Sequence, residues 1–221
     1  AWVDCAARGA NLGHGILLSG NFAPASAGQG KRPKAHGLLD VPFTPPISLI
    51  NPLSLKAFNA LYSRKPEGAF LTHYEPFFYP LDAIGNWNRI YGPQGFLQYQ
   101  CVLPPDVAEP ALRELLGRIA GSGQGSFLAV LKRFGDKPSL GMLSFPRPGV
   151  TIALDFPMLG AMTLRLLDEL DEVVAEAEGA LYPAKDARIK PKMFLDVFLA
   201  LNKFQQLRDA ALSSSLFRRI H

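Results

Sequence analysis

The sequence is poor in the residues that metal and redox chemistry use. Its two cysteines, Cys5 and Cys101, lie far apart with no CxxC spacing, and its four histidines, at positions 14, 36, 73 and 221, are dispersed. No zinc knuckle or disulfide framework can be read from that set, no metal site is expected, and a reducing compartment is the default. Signature loops are missing too. There is no GxGxxG after a strand, no GxxxxGK followed by Ser or Thr, no GxSxG and no HExxH, so kinase, hydrolase and zincin readings lose their support. The one glycine-rich run, GSGQGS at 121–126, follows a helical pattern rather than a strand, so its amides would not face a pyrophosphate. No apolar run reaches the roughly 18 residues of a membrane helix. The N-terminal AWVDCAARGA has no basic stretch followed by an apolar core, so no transmembrane segment or export signal is read. An excess of one charge is absent as well: 23 Lys and Arg stand against 19 Asp and Glu, with a pI of about 9.1. The two small basic groups, Lys31–Arg32–Lys34 and Arg218–Arg219, are not interleaved with aromatics, and no nucleic-acid partner is expected.

What is present is a globular composition: 48% hydrophobic residues and 15 Phe in 221 residues. That is enough for one large domain, or one domain with an appended piece. The chain starts without Met, and AWVDC reads as the middle of a strand, so a piece of a longer protein is expected. AWVDC and Gly15–Phe22 read as strands around a Gly-containing turn. Residues 23–48 are Pro- and Gly-rich and read as a loop. Asn51–Arg64 has a capping Asn, then Pro, then helical spacing. Phe70–Phe78 reads as a strand, and PLDAIGNWNRIYGPQG as an aromatic connection. In Gly95–Leu103 the alternation puts Phe96, Gln98 and Gln100 on one face and Leu97, Tyr99 and Cys101 on the other. Two amides on one face need partners. A helix from Pro104 to about Ala120 follows, with Val107, Leu112, Leu115, Leu116 and Ile119 in one stripe. Ser126–Phe134, Leu140–Phe145 and Val150–Phe156 are further strand candidates, Met162–Glu178 a long helix, and Met193–Ile220 two short ones. Without a regular βαβ period, the expectation is an α+β fold: a large antiparallel sheet with helices on one face, plus a C-terminal helical segment.

Lys132 falls inside the apolar strand FLAVLKRF, where a charge needs a partner, a polar cavity or the exposed face of the sheet. Lys185 precedes Asp186 in LYPAKD, and a solvated ion pair there is worth less than about 1 kcal/mol. From the residues alone the reading is an α+β domain with a polar-lined sheet face.

Longer segments carry more. FFYPLDAIGNWNRIYGPQGFLQYQCVLP, SFLAVLKRFG, LSFPRPGVTIALDFP and LYPAKD together resemble the substrate-binding and C-terminal part of the flavin oxidases similar to decaprenylphosphoryl-β-D-ribose 2′-oxidase, in the vanillyl-alcohol-oxidase superfamily. The resemblance runs from Trp2 to about Arg218 and is weakest over 23–48. It implies an FAD domain and a cap domain whose sheet lies over the isoalloxazine. Residues 1–179 would be the cap, and 180–221 a segment returning to the FAD domain. FAD would be bound mainly by an upstream domain, and this chain alone would be inactive.

The resemblance also assigns residues. Gln98 and Gln100 match the glutamines that line the substrate side of the flavin, and Lys132 matches a pocket lysine. Lys185, with Ala184 beside it, matches the lysine that serves both sugar and flavin, orienting a hydroxyl and offsetting charge at N1. Leu81 and Trp87 match the loop at the pocket entrance. Thr151 and Ala153 stand where mycobacterial relatives have Asn and Cys, so inhibitors that trap that Cys should not act here, and Phe78 stands where they have Tyr. The reaction implied is oxidation of a sugar secondary hydroxyl to a ketone with hydride passing to flavin N5, in a cell-wall arabinan-type pathway. The substrate would be a sugar or a polyprenyl-phosphate-sugar, and a partner reductase would complete an epimerisation. An aldonolactone oxidase and a flavin-free sugar-binding module are the alternatives. The expected location is the cytoplasm, with the membrane surface and the periplasm left open.

Overall fold

The computed structural model describes residues 1–27, 39–65, 67–79, 83–185, 188–209 and 211–220. Its centre is an antiparallel six-stranded sheet built from β1 (Trp2–Val3), β2 (Gly15–Ile16), β5 (Phe96–Leu103), β6 (Ala129–Phe134), β7 (Gly149–Pro157) and β8 (Ala180–Leu181), in the order β2-β1-β6-β7-β5-β8. β5 and β7 form its longest ladder, from Phe96 opposite Pro157 to Leu103 opposite Val150. Gly149 opens β7 at φ 152°, and a Cβ there would stand 2.3 Å from the Leu103 carbonyl oxygen, so only glycine lets the two strands start this close. A separate pair, β3 (Leu39–Asp40) and β4 (Ile84–Gly85), runs parallel.

One face of the sheet is apolar. Tyr99, Cys101 and Leu103 of β5 and Ile152, Leu154 and Phe156 of β7 are all buried there. Two helices close over them, α3 (Ala108–Ser122) and α4 (Ala161–Glu176). Their stripes of Leu115, Ile119, Leu166, Leu167, Leu170 and Val174 join the same core, and each fully buried Leu stabilises by about 1.5–3 kcal/mol. Three short C-terminal helices, α5 (Pro191–Val197), α6 (Leu201–Leu207) and α7 (Ser215–Ile220), add Phe194, Leu201 and Ile220 to it, and Phe198, just after α5, joins them. The expected α+β fold with a C-terminal helical segment is the one observed.

α1 (Pro52–Tyr62) starts as its sequence dictates. The Asn51 side chain accepts from the amides of Leu53 and Ser54, and the Ser54 hydroxyl accepts from the Asn51 amide. Such a cap is worth about 1 kcal/mol. The Tyr62 ring of α1 packs at a tilt against Trp2 at 4.7 Å, and Phe58 stacks on Phe127 at 4.6 Å, so this helix covers the β1 end of the second face.

Four local expectations are corrected. Phe70–Phe78 is not a strand: Tyr74–Phe78 is helical (α2), because His73 caps it through Nδ1 and Glu75 sits in the first turn. Leu140–Phe145 is not a strand either, since Pro138, Pro146 and Pro148 remove ladder donors on both sides of it. Instead Phe145 folds back onto Val102 and Ala180 and stacks on Tyr182 at 4.6 Å. The second N-terminal strand is confined to Gly15–Ile16, and the segment read as two C-terminal helices forms three.

Candidate active site

The second face of the sheet is polar. Because opposed residues in an antiparallel ladder share a face, the register aligns Gln98 with Asp155, Gln100 with Ala153 and Val130, and Val102 with Thr151 and Lys132. Gln98 Nε2 donates to Asp155 Oδ1 at 3.0 Å, and Gln100 Nε2 donates to Thr151 Oγ1 at 3.1 Å. The partners that two same-face amides require are therefore on the next strand. Thr151 and Asp155 are buried, while Gln98 and Lys132 are exposed and Gln100 is half-buried. Lys132 occupies the exposed position on this polar face.

Lys185 reaches the same place from a different element. β8 pairs only with Cys101 and Val102 of β5. The chain then turns away: Tyr182 N donates to the Gln100 carbonyl at 2.9 Å, and a 3-10 turn at Pro183–Lys185 follows. Beyond that bond no strand among the described residues pairs with the β5 edge at Leu97–Tyr99, and Lys185 lies beside it, half-buried, in a concavity shared with Gln98, Gln100, Tyr182 and Arg188. Asp155 feels that ammonium. Burial pushes its carboxyl above the usual range, and the Gln98 hydrogen bond and the Lys185 charge pull it part of the way back.

Beneath the concavity Arg188 holds the chain down. Its Nη1 donates to Asp168 Oδ1 at 2.7 Å and Asp171 Oδ2 at 2.8 Å, and its Nη2 to the Leu167 carbonyl at 2.6 Å. Nη2 also lies 2.8 Å from Asp171 Oδ1, an ion-pair contact. Burial pushes the Asp171 carboxyl up, and Arg188 opposes the shift.

No family model matches the chain. Over its whole length, 234 aligned residues, it is 32% identical to decaprenylphosphoryl-beta-D-ribose oxidase of Mycolicibacterium smegmatis. It spans 50% of that oxidase. It is also 30% identical over 230 residues, 98% of its length, to an uncharacterized protein in the mprA 5′ region of Streptomyces coelicolor, of which it spans 62%.

Gln98, Gln100, Thr151 and Lys132, expected at the site from the sequence, thus share one sheet face, with Lys185 at its edge. Ala184 is exposed on the turn next to Lys185. Trp87 sits in a 3-10 turn, Trp87–Tyr91, with its ring 5.5 Å from that of Phe96, the residue two positions before Gln98 on the same face. Phe78 stands apart, 58% exposed, with its ring contacts to Phe77 and Tyr79. Leu81 and Asp186 lie outside the described residues. Asp155 is the residue that sequence reasoning passed over. The signal was there: in VTIALDFP it alternates in step with Thr151 and Ala153, so it had to share their face. Among the described residues no group of three or more His, Cys, Asp or Glu gathers as a metal site, and no helix is long and apolar enough to cross a membrane.

Proposed function

We propose that this chain is the substrate-binding and C-terminal part of an FAD-linked oxidoreductase that converts a secondary hydroxyl of a polyprenyl-phosphate-linked sugar to a ketone. One observation carries the reading: Lys185 is half-buried beside Gln98 and Gln100 at the unpaired edge of a polar sheet face, in a chain 32% identical throughout to a decaprenylphosphoryl-ribose oxidase. In this reading 1–179 forms the cap, and 180–221, which begins inside the sheet at β8, brings Lys185 to the site and leads back to the flavin half.

The residues present suit the reacting end of a flavin. A ring edge that alternates carbonyl acceptors with ring nitrogens matches an ammonium flanked by two amides, and Lys185, Gln98 and Gln100 are that set. A bound flavin supplies the hydride acceptor. The side chains supply position and charge. Lys185 orients the sugar hydroxyl and stabilises negative charge that develops beside it, while Gln98 and Gln100 hold the remaining hydroxyls, and Lys132 on the exposed row meets an anionic group such as the sugar's phosphate. The keto product would pass to a reductase that completes an epimerisation.

The test uses the full-length, flavin-loaded protein with a short-chain prenylphosphoryl-β-D-ribose as substrate, mixed without oxygen while the flavin absorbance is followed. Lys185→Met should slow bleaching by about 10²–10³-fold while the flavin stays bound, the loss typical of removing one fixed electrostatic group. Bleaching at the wild-type rate would refute the role given to Lys185. A wild-type protein that carries no flavin would refute the oxidase reading.

A further inference from the structure

A glutamine amide has a donor end and an acceptor end, and which end it offers a ligand depends on what holds the other. The two glutamines of β5 differ in this respect. Gln100 is paired with the Thr151 hydroxyl at 3.1 Å, and a hydroxyl can accept or donate, so Gln100 can turn either end toward a ligand. Gln98 is paired with a carboxylate, which when ionised only accepts. Asp155 Oδ1 therefore engages the Gln98 NH2 at 3.0 Å, and among the described residues no hydrogen bond is recorded to Gln98 Oε1. Asp155 is itself 8% exposed and Gln98 lies on the open side. Burial raises the Asp155 carboxyl, and the Gln98 hydrogen bond and the Lys185 charge oppose that shift.

We propose that Asp155 is a positioning residue that locks Gln98 with its carbonyl oxygen toward the site, so that the site selects a ligand presenting a hydroxyl donor at that point. The inference rests on the sugar-oxidase reading above and deepens it. It divides the recognition surface into one committed acceptor, Gln98, one adaptable group, Gln100, and one cation, Lys185. Asp155 acts through Gln98 and makes no contact with the sugar.

The experiment uses the full-length flavoprotein reduced with dithionite, which binds sugar without turning it over. Calorimetry measures the affinity for a short-chain prenylphosphoryl-β-D-ribose and for its 2-, 3- and 5-deoxy counterparts. In the wild type, one deoxy compound should bind about fivefold or more weakly than the parent, the worth of one hydrogen bond. In Asp155→Asn, where the new amide can pair with either end of Gln98, that gap should fall below about twofold. Gln98→Ala should erase it, and adding Asp155→Asn to Gln98→Ala should change nothing further. A gap that survives in Asp155→Asn, or a wild type that discriminates against none of the three, overturns the proposal. A second readout needs no sugar: with ¹⁵N-labelled glutamine, the Gln98 side-chain NH2, assigned by its loss in Gln98→Ala, should be protected from exchange in the wild type and not in Asp155→Asn. Equal protection overturns the proposal. Protection that is present in the wild type and lost in Asp155→Asn, in a protein that binds no ribose compound, overturns the sugar reading and leaves the locking of Gln98 by Asp155 standing.

Discussion

Replacing Arg188 with Met tests the account of how Lys185 is held. Arg188 is 16% exposed and Asp171 5%, and two N–O distances of 2.8 Å join them, so removing the guanidinium leaves a carboxylate buried without its counter-charge. That situation costs about 3–5 kcal/mol. Asp168, 46% exposed, adds less than about 1 kcal/mol because water screens it. For a chain of this size, the total corresponds to a fall in Tm of roughly 6–24 °C. Replacing both partners by apolar residues, Arg188→Met with Asp171→Leu, should recover most of the loss, since the desolvated charge is then gone as well. Burial already holds the Asp171 carboxyl above its unfolded value, and without Arg188 it rises further. A raised carboxyl contributes stability that is fully present below its unfolded pKa of about 3.9 and is lost as pH rises through the folded one. The penalty of Arg188→Met should therefore be larger at pH 8 than at pH 5. Urea unfolding of the full-length protein and of the single and double variants, at both pH values, checks this. A single-variant cost under about 1 kcal/mol, or a double variant as unstable as the sum of its parts, would refute the reasoning.

Asp155 gives a second pH prediction of the same sign. Its carboxyl is raised by burial, so Asp155→Asn should gain thermal stability relative to wild type between pH 4 and pH 7, and the difference should vanish near pH 4, as paired melting curves would record. Burial pushes the Cys5 thiol up to about 11 and the Cys101 thiol up to about 12, so neither should react with a disulfide reagent in the native protein at pH 8. Both should react at once in denaturant, and rapid titration of either thiol in the native state would contradict the core described here.

The central strand was legible because alternation is a local property. FLQYQCVL puts two amides on one side and Tyr99 and Cys101 on the other, and the apolar side is the one that α3 and α4 cover. The same alternation places Asp155 on the polar face, but LDFP reads as the end of an apolar run when its neighbour strand is unknown. The errors fall where a local competitor outweighed β-propensity. Phe70–Phe78 is rich in aromatics, yet a capping His73 and an acidic first turn make part of it helical. Leu140–Phe145 is apolar, yet flanking prolines deny it a ladder, and Phe145 serves as a cover for Val102 instead. For Lys185 no pattern could say that β8 stops after two residues and leaves unpaired the edge it stands beside. That follows from tertiary pairing, and only the family resemblance pointed there.

The position of β1 has a consequence for how the molecule is made. The Trp2 indole donates to the Phe127 carbonyl across 125 residues of chain, and Val3 pairs with Ala129. During synthesis the earliest of these strands emerges with no neighbour on its β6 side until residues 129–134 leave the ribosome, and contacts of such long span form slowly. The β5–β7 ladder joins segments much closer in sequence and can close first, with β1 and β2 docking onto the finished edge of β6. For that interval Trp2 and Val3, both buried at the end, are apolar residues still without their β6 partner.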